Sequence, residues 1–202
     1  SNGQILRSLL ITSSKPGEGK STILANLAIA FSQLGKRVLA VDGDLRKPTL
    51  HTFFGCNPEP GLSDLLSGNI QVQNIIQPTK VENLHFIGSG SRLHNTSELV
   101  SSSQMKTFLD SMQNKYDLVL IDSPPVLAGT EPTILSTLTD QVIMVVSAGE
   151  TRFSELTRAL EELEEPQGKI PGVVLNKFNI YHAYGIPYGR SDYGYYPYAN
   201  KS

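Results

Sequence analysis

Residues 13–22, Ser-Ser-Lys-Pro-Gly-Glu-Gly-Lys-Ser-Thr, combine the residue types that bind phosphate groups between a strand and a helix. They satisfy the pattern G-x-x-x-x-G-K-[ST] except at its first glycine. Gly17 and Gly19 allow a tight turn whose backbone N–H groups face phosphate oxygens. Lys20 then reaches the outer phosphates, and the Ser21 hydroxyl ligates Mg²⁺. The alternative is an ordinary glycine-rich turn. We predict a nucleoside triphosphate site contacted by these loop residues: Lys15, Gly17, Glu18, Gly19, Lys20, Ser21 and Thr22.

Two residues of this loop depart from the common pattern. Ser14 stands where the first glycine is expected. Lys15 occupies the position at which the MinD and ParA ATPases carry an extra lysine, which is why we include it among the nucleotide contacts. A lysine that faces solvent is an equally good explanation of this position.

Three carboxylates directly follow apolar runs of the sequence. Asp42 and Asp44 come after residues 38–41, and Asp122 comes after residues 118–121. In doubly wound α/β folds, ligands bind at the carboxyl ends of the parallel strands, where carboxylates suit Mg²⁺ coordination and proton acceptance. Asp-Gly-Asp is also a common turn sequence, so the prediction depends on all three acids together. We assign the metal to Ser21, Asp42 and Asp122, and the catalytic roles to Lys20, Asp42 and Asp44.

A possible base-reading segment follows the last apolar run. Residues 176–179, Asn-Lys-Phe-Asn, resemble the N-K-x-D motif of GTP-binding proteins, with Asn179 in place of the aspartate. A carboxylate accepts both donors of guanine better than an amide does. The sequence therefore favours ATP over GTP, with Asn176 as the predicted contact to the base.

The elements that position these residues alternate along the chain. Near-continuous apolar runs alternate with helical patterns, which is typical of a parallel sheet covered on both faces. We predict an α/β fold with a doubly wound, mostly parallel sheet flanked by helices, similar to the MinD/ParA-like type of P-loop NTPase. The expected strands are residues 8–12, 38–41, 84–87, 118–121, 142–146 and 173–175, and the expected helices 20–34, 60–68, 102–113 and 153–163. In the last helix, Phe153, Leu156, Leu160 and Leu163 form one apolar stripe.

The C-terminal stretch has a different composition from the rest of the chain. Residues 181–202 contain seven of the eight tyrosines, several glycines and prolines, and little aliphatic content. Such a composition predicts a flexible tail, so we divide the chain into a P-loop domain at 1–180 and a tail at 181–202. The tail is either a low-complexity terminus or a cluster of phosphoacceptors, and the tyrosine density favours the second. The predicted acceptors are Tyr181, Tyr184, Tyr188, Tyr193, Tyr195, Tyr196 and Tyr198.

Composition limits the other classes of function. The formal net charge is −2 and the pI is about 6.1, so the chain as a whole is not attracted to nucleic acid, and we expect no nucleic-acid partner. A single cysteine, Cys56, forms no internal disulfide and fits a reducing compartment. No apolar run approaches the length of about 18 residues needed to span a membrane.

These motifs together resemble the bacterial tyrosine kinases, or BY-kinases, that regulate capsule and exopolysaccharide export. Residues 13–22 resemble their Walker A loop. Residues 41–48, Val-Asp-Gly-Asp-Leu-Arg-Lys-Pro, resemble their Walker A′ motif. Residues 120–125, Leu-Ile-Asp-Ser-Pro-Pro, resemble their Walker B motif. Residues 60–68 and 95–99 are also similar to stretches of that family. The tyrosine-rich tail is a hallmark of the family, and MinD and ParA ATPases lack such a tail.

The resemblance implies autophosphorylation of tail tyrosines between subunits, with ATP and Mg²⁺ as cofactors. By position, Lys20 holds the phosphates, Ser21 and Asp122 hold the metal, and Asp42 with Asp44 accepts the tyrosine proton. Two residues depart from the family pattern. Thr96 stands where the family usually has proline, and Glu131 stands where an aspartate often follows the Walker B prolines. The family pattern therefore does not predict the geometry of these two loops.

The resemblance also implies partners and a location. The expected partners are other copies of the chain in a ring-like homo-oligomer of the full-length protein, a transmembrane activator or fused transmembrane domain, and a tyrosine phosphatase. Members of the family usually form rings through an E-x-x-R-x-x-R helix ahead of the first strand, which we expect to lie outside this chain. We expect a cytoplasmic domain tethered to the bacterial inner membrane through a segment absent from the chain.

Two other functions remain compatible with the sequence. One is a MinD- or ParA-like ATPase that positions cargo, which would hydrolyse ATP whether or not the tail is present. The other is a nucleotide-dependent adaptor whose tyrosines are phosphorylated by another kinase.

Overall fold

The structure is a computed structural model, and it describes residues 5–164 and 169–179. Its strands are β1 (Ser8–Ser13), β2 (Val38–Asp42), β3 (Gln77–Pro78), β4 (Leu84–Ile87), β5 (Leu118–Asp122), β6 (Gln141–Ser147) and β7 (Gly172–Asn176). Its helices are α1 (Lys20–Gln33), α2 (Leu50–Phe54), α3 (Leu62–Leu66), α4 (Thr96–Val100), α5 (Ser103–Lys115), α6 (Glu131–Leu138) and α7 (Phe153–Glu164). Short 3₁₀ turns lie at Val72–Asn74 and Val126–Ala128.

The strands form one sheet in the order β3-β4-β2-β5-β1-β6-β7. All neighbouring strands are parallel except the short β3, which runs antiparallel to β4. The predicted mostly parallel, doubly wound sheet is therefore confirmed. This order places β5 between β1 and β2, so the carboxyl ends of the three strands that carry the predicted site lie side by side.

The sheet is covered on both faces because side chains alternate along each strand. On one face, Leu9 and Ile11 of β1 pack with α1 and α2. On the other, Leu10 packs in a second core to which α3, α4, α5, α6 and α7 contribute. Burial on both faces explains why the central strands are continuously apolar in sequence.

The sequence-based assignment was incomplete for the short elements. It did not predict the helices α2, α4 and α6 or the strand β3, all of which are short. The apolar stripe proposed for α7 was wrong at Phe153, because this side chain is 83% exposed while Leu163 is fully buried. The edge strand β7 is also largely exposed, unlike the buried strands in the middle of the sheet. Within the described residues, none of the helices is long and apolar enough to cross a bilayer.

Candidate nucleotide-binding site

The predicted phosphate loop joins β1 to α1 and lines an open cavity of about 610 Å³. Gly17 and Gly19 have φ values of 85° and 93°, the left-handed region that glycine occupies without steric cost. Helix α1 begins at Lys20, so its N-terminal N–H groups and dipole face the cavity. Six of the predicted site residues line this cavity: Gly17, Gly19, Lys20, Ser21, Thr22 and Asp44.

Two carboxylates contact the Lys20 ammonium, and a third lies beside one of them. Its Nζ lies 3.2 Å from Asp44 Oδ2 and 3.6 Å from Asp122 Oδ1. The Ser21 hydroxyl donates a hydrogen bond of 2.5 Å to Asp122 Oδ2. The parallel register places Asp42 directly beside Asp122, and both residues are fully buried. The structure thus brings together all the side chains predicted for the metal and catalytic sets.

Burial perturbs the protonation of this cluster. It raises the pKa of Asp42 to about 8, and the neighbouring Asp122 carboxylate contributes to the rise. Burial also raises the pKa of Asp122 to about 6, against the opposing effects of Lys20 and Ser21. For the Lys20 ammonium, burial alone would lower the pKa, but Asp122 and Asp44 outweigh it and raise the pKa. Only Lys20 of these three groups lines the cavity, and the two buried carboxyl groups lie beside it. Perturbed titratable groups next to a cavity are typical of functional sites.

The oxygens of this cluster fit a magnesium ion. Asp42 Oδ1 and Asp122 Oδ1 are buried without a hydrogen-bond partner, although buried polar atoms usually have one. Within residues 5–164 and 169–179, no group of three or more His, Cys, Asp or Glu side chains is arranged to hold a metal alone. Magnesium in nucleotide sites is commonly held by one or two carboxylates together with phosphate oxygens, so the donor set matches that case.

Three other predicted contacts lie outside the lining of the cavity. The Lys15 ammonium forms an ion pair with Glu155 at 2.9 Å and donates to the Glu150 carbonyl at 2.8 Å. The Glu18 carboxylate is buried beneath the loop. Asn176 packs against Gly19, and its Nδ2 donates to the Glu18 carbonyl at 2.9 Å. In this arrangement the three side chains support the loop, and their contacts to a nucleotide remain predictions.

An ion pair that sequence reasoning missed lies at the mouth of the cavity. Arg46 lines the cavity, and its Nε and Nη2 groups donate to Glu131 Oε1 at 2.8 and 2.7 Å. The Thr96 hydroxyl donates to the same oxygen at 2.7 Å. The two departures from the family pattern, Thr96 and Glu131, are therefore partners in one cluster. The substitutions themselves were visible in the sequence, but nothing in it linked them to Arg46.

Replacing Glu131 with glutamine should lower the free energy of unfolding by about 1–2 kcal/mol near neutral pH, because the pair loses its charge. Burial alone would raise the pKa of Glu131, but Thr96 and Arg46 outweigh it and hold the pKa below its usual value. The stabilisation is therefore present at pH values above the usual pKa of a glutamate, and it is lost as the pH falls through the lowered pKa of Glu131. Urea unfolding of both proteins should give curves that converge in acid.

The exposed Glu161 on α7 provides the control for this prediction. Glu161→Gln should leave unfolding unchanged at every pH. A difference between wild type and Glu131→Gln that persists undiminished below about pH 3 would show that the charge of Glu131 is not the source of the stabilisation.

The predicted phosphoacceptors lie outside the described residues. The chain beyond residue 179, which carries Tyr181 and the six tyrosines after it, has no described structure, so the division into domain and tail stays a prediction. The remaining tyrosine, Tyr116, is half-buried, and its hydroxyl contacts His85 Nδ1 at 3.2 Å.

The fold and the loop geometry define a P-loop nucleotide-binding domain. A family model described as an AAA domain matches residues 6–170. The septum site-determining protein MinD of Pyrococcus horikoshii OT3, solved with Mg-ADP, superposes with a TM-score of 0.74 at 28% identity, over 86% of this chain and 71% of MinD.

More specific matches are to kinases. The tyrosine-protein kinase YwqD of Bacillus subtilis (strain 168) is 38% identical over 189 residues, which are 93% of this chain and 79% of YwqD. The kinase domain of the Escherichia coli tyrosine kinase ETK superposes with a TM-score of 0.83 at 29% identity, over 86% of this chain and 68% of that domain. The chain belongs to the bacterial tyrosine-protein kinase family. It spans about a quarter, 26%, of the length of two longer relatives from Ralstonia.

Proposed function

We propose that this chain is the catalytic domain of an ATP-dependent protein-tyrosine kinase that phosphorylates its own C-terminal tyrosines. The observation that carries the proposal is the contact of Lys20, at the wall of an open cavity beside the phosphate loop, with Asp44 of that wall and with the buried Asp122. This set contains a cation for the transferred phosphate, oxygens for a metal ion and a proton acceptor. Membership of the tyrosine-kinase family supports tyrosine as the acceptor.

In the proposed site, the phosphate loop and Lys20 would bind the β- and γ-phosphates of ATP. Ser21, Asp42 and Asp122 would hold Mg²⁺, which would supply charge neutralisation of the phosphates. The loop N–H groups and the Lys20 ammonium add to this neutralisation because they are held at the wall of the cavity, next to the position proposed for the phosphates.

The transfer forms a bond between the tyrosine oxygen and the γ-phosphorus and breaks the bond from that phosphorus to the β–γ bridging oxygen, which leaves with ADP. A tyrosine hydroxyl has a pKa of about 10 and is a weak nucleophile at neutral pH, so its proton needs an acceptor as the new bond forms. Asp42, with Asp44 beside it, is the proposed acceptor. Because burial raises the pKa of Asp42 to about 8, this role requires that a bound Mg²⁺ would lower that pKa and hold the carboxylate ionised. Asp44 lines the cavity, where an incoming tyrosine reaches it.

The proposed acceptors are the seven tyrosines from Tyr181 to Tyr198, phosphorylated by a neighbouring copy of the chain. Each phosphate adds about −1.5 to −2 charges, and we propose that the resulting repulsion releases the segment and loosens assembly. We further propose a role in capsule or exopolysaccharide production, with a transmembrane activator, a tyrosine phosphatase and a tether to the inner membrane supplied outside this chain.

Intact-mass spectrometry tests the kinase proposal directly. The purified chain incubated with ATP and Mg²⁺ should gain a ladder of phosphate additions that a tyrosine phosphatase removes, and fragmentation should place them between residues 181 and 198. ATP hydrolysis without any mass increase would instead support a MinD-like ATPase. Nucleotide binding with neither hydrolysis nor self-labelling would support the adaptor function.

A further inference from the structure

Glu18 is a buried carboxylate with an unusual set of partners. It lies within the phosphate loop, yet its side chain is turned away from the cavity and is 1% exposed. It accepts hydrogen bonds from the Ser14 hydroxyl at 2.9 Å and from the Lys15 backbone N–H at 2.8 Å. A third donor is the Thr151 hydroxyl. A buried charge is tolerated when hydrogen bonds satisfy it, and these three donors do so.

These contacts explain the serine in place of the first glycine. The Ser14 hydroxyl contacts both carboxylate oxygens of Glu18, so a side-chain hydrogen bond joins the start of the loop to a residue near its end. A glycine at this position has no hydroxyl to donate. The serine that departs from the common pattern therefore supplies a hydrogen-bond donor to the Glu18 carboxylate.

Thr151 belongs to a different part of the chain, the turn between β6 and α7. Its hydroxyl accepts a hydrogen bond of 2.9 Å from the Ser147 N–H, and its own N–H donates to the Ser147 carbonyl at 3.0 Å. Because the same hydroxyl also contacts Glu18, this turn and the phosphate loop are joined through one side chain.

Two further contacts connect the same elements. Lys15 Nζ donates to the Glu150 carbonyl of this turn, and Asn176 at the end of β7 donates to the Glu18 carbonyl. The Asn176 carbonyl in turn accepts from the Ala148 N–H at 2.9 Å. The loop is therefore supported from beneath by the β6–α7 turn and by β7, on the side away from the cavity.

We propose that Glu18 and Thr151 are positioning residues that hold the phosphate loop in its nucleotide-binding shape. The inference rests on the nucleotide-binding part of the proposed function. Gly17 and Gly19 make the loop conformationally free, so its N–H groups converge on phosphate only if another group restrains it. The Glu18 carboxylate supplies that restraint, and Thr151 transmits it from a turn 133 residues away in sequence.

The test is Thr151→Val, which removes the hydroxyl and nearly keeps the shape of the side chain. The dissociation constant of a fluorescent ADP analogue should rise by about three- to tenfold, because only part of the free energy of one hydrogen bond to a charged group is expected to reach the nucleotide site. Thr151→Ser, which restores the hydroxyl, should recover the wild-type affinity. Thr157→Val is the matched control, because Thr157 on α7 donates to the Phe153 carbonyl away from the loop.

A double-mutant cycle with Glu18→Gln identifies the path of the effect. If Thr151 acts through the carboxylate, Thr151→Val should cost little additional affinity in the Glu18→Gln background. If Thr151→Val proves too unstable to purify, Ser14→Ala removes another donor to the same carboxylate and should weaken nucleotide binding to a similar extent.

The outcomes separate this inference from the kinase proposal, because nucleotide binding is measured without any phosphate transfer. A variant that lowers the midpoint of thermal unfolding but leaves the ADP-analogue affinity unchanged would overturn the inference, since it would show a purely structural role. Failure of the wild-type chain to phosphorylate itself, with the expected loss of affinity in Thr151→Val, would overturn the kinase proposal alone.

Discussion

Replacing Lys20 with methionine should reduce self-phosphorylation by at least about a hundredfold, the usual consequence of removing one positioned donor from a transition-state site. The Lys20 side chain is 12% exposed and lies at the wall of the cavity, where its ammonium faces the phosphates in the proposed complex. Intact-mass spectrometry over time, with ATP and Mg²⁺ in excess, measures the phosphate gained per chain.

Two further variants make this result specific. Lys36→Met removes an exposed lysine after α1 and should leave the rate unchanged. Lys20→Arg keeps the charge opposite Asp44 and Asp122, so it should unfold at nearly the wild-type midpoint while remaining impaired in transfer. Because Lys20→Met leaves buried carboxylates without their cation, its unfolding midpoint must be measured beside its activity. Normal phosphorylation by a folded Lys20→Met protein would remove Lys20 from the proposed mechanism.

Replacing the seven tail tyrosines with phenylalanine should abolish phosphate uptake while nucleotide affinity stays at the wild-type value. The acceptors are lost in this variant, but the cavity and the loop are unchanged. The remaining Tyr116 is a poor acceptor because it is half-buried against His85. Mass spectrometry and titration with a fluorescent ADP analogue check both halves of the prediction on one preparation.

Mixing this tail variant with Lys20→Met distinguishes transfer within a chain from transfer between chains. The tail variant has a complete site and no acceptors, whereas the Lys20→Met protein has acceptors and a disabled site. Phosphate on the Lys20→Met chain shows transfer between copies. The absence of phosphate in the mixture, with an active wild-type control, would contradict transfer in trans, and phosphate on the tail variant would point to acceptors outside the tail.

Much of the site could be read from the sequence because its determinants are local. The glycines and Lys20 of the phosphate loop, the helix that follows and the acids at the ends of apolar strands each depend on neighbours within a few residues. The fold class followed from the same kind of signal, since strands buried on both faces, such as β5, must be continuously apolar. The fold class was confirmed, and the structure places the loop glycines, Lys20 and the three acids at the ends of the expected strands, while their roles toward a nucleotide stay predictions.

Contacts between distant segments were decided only by the tertiary structure. The order of the strands places Asp42 beside Asp122, and no local pattern specifies which strands become neighbours. The same holds for Arg46 with Glu131 and for Glu18 with Thr151, whose members are far apart in the chain.

The direction of each side chain was likewise undetermined by sequence. Helical periodicity assigned Phe153 to an apolar stripe, but it does not indicate where the neighbouring core ends, and Phe153 extends past it into solvent. Motif position placed Lys15 and Glu18 near phosphate, whereas their side chains turn toward the β6–α7 turn because hydrogen-bonding groups are available there. Sequence alone therefore determined which residues build the loop and the acidic cluster, and the packing of the chain determined which of them face the cavity.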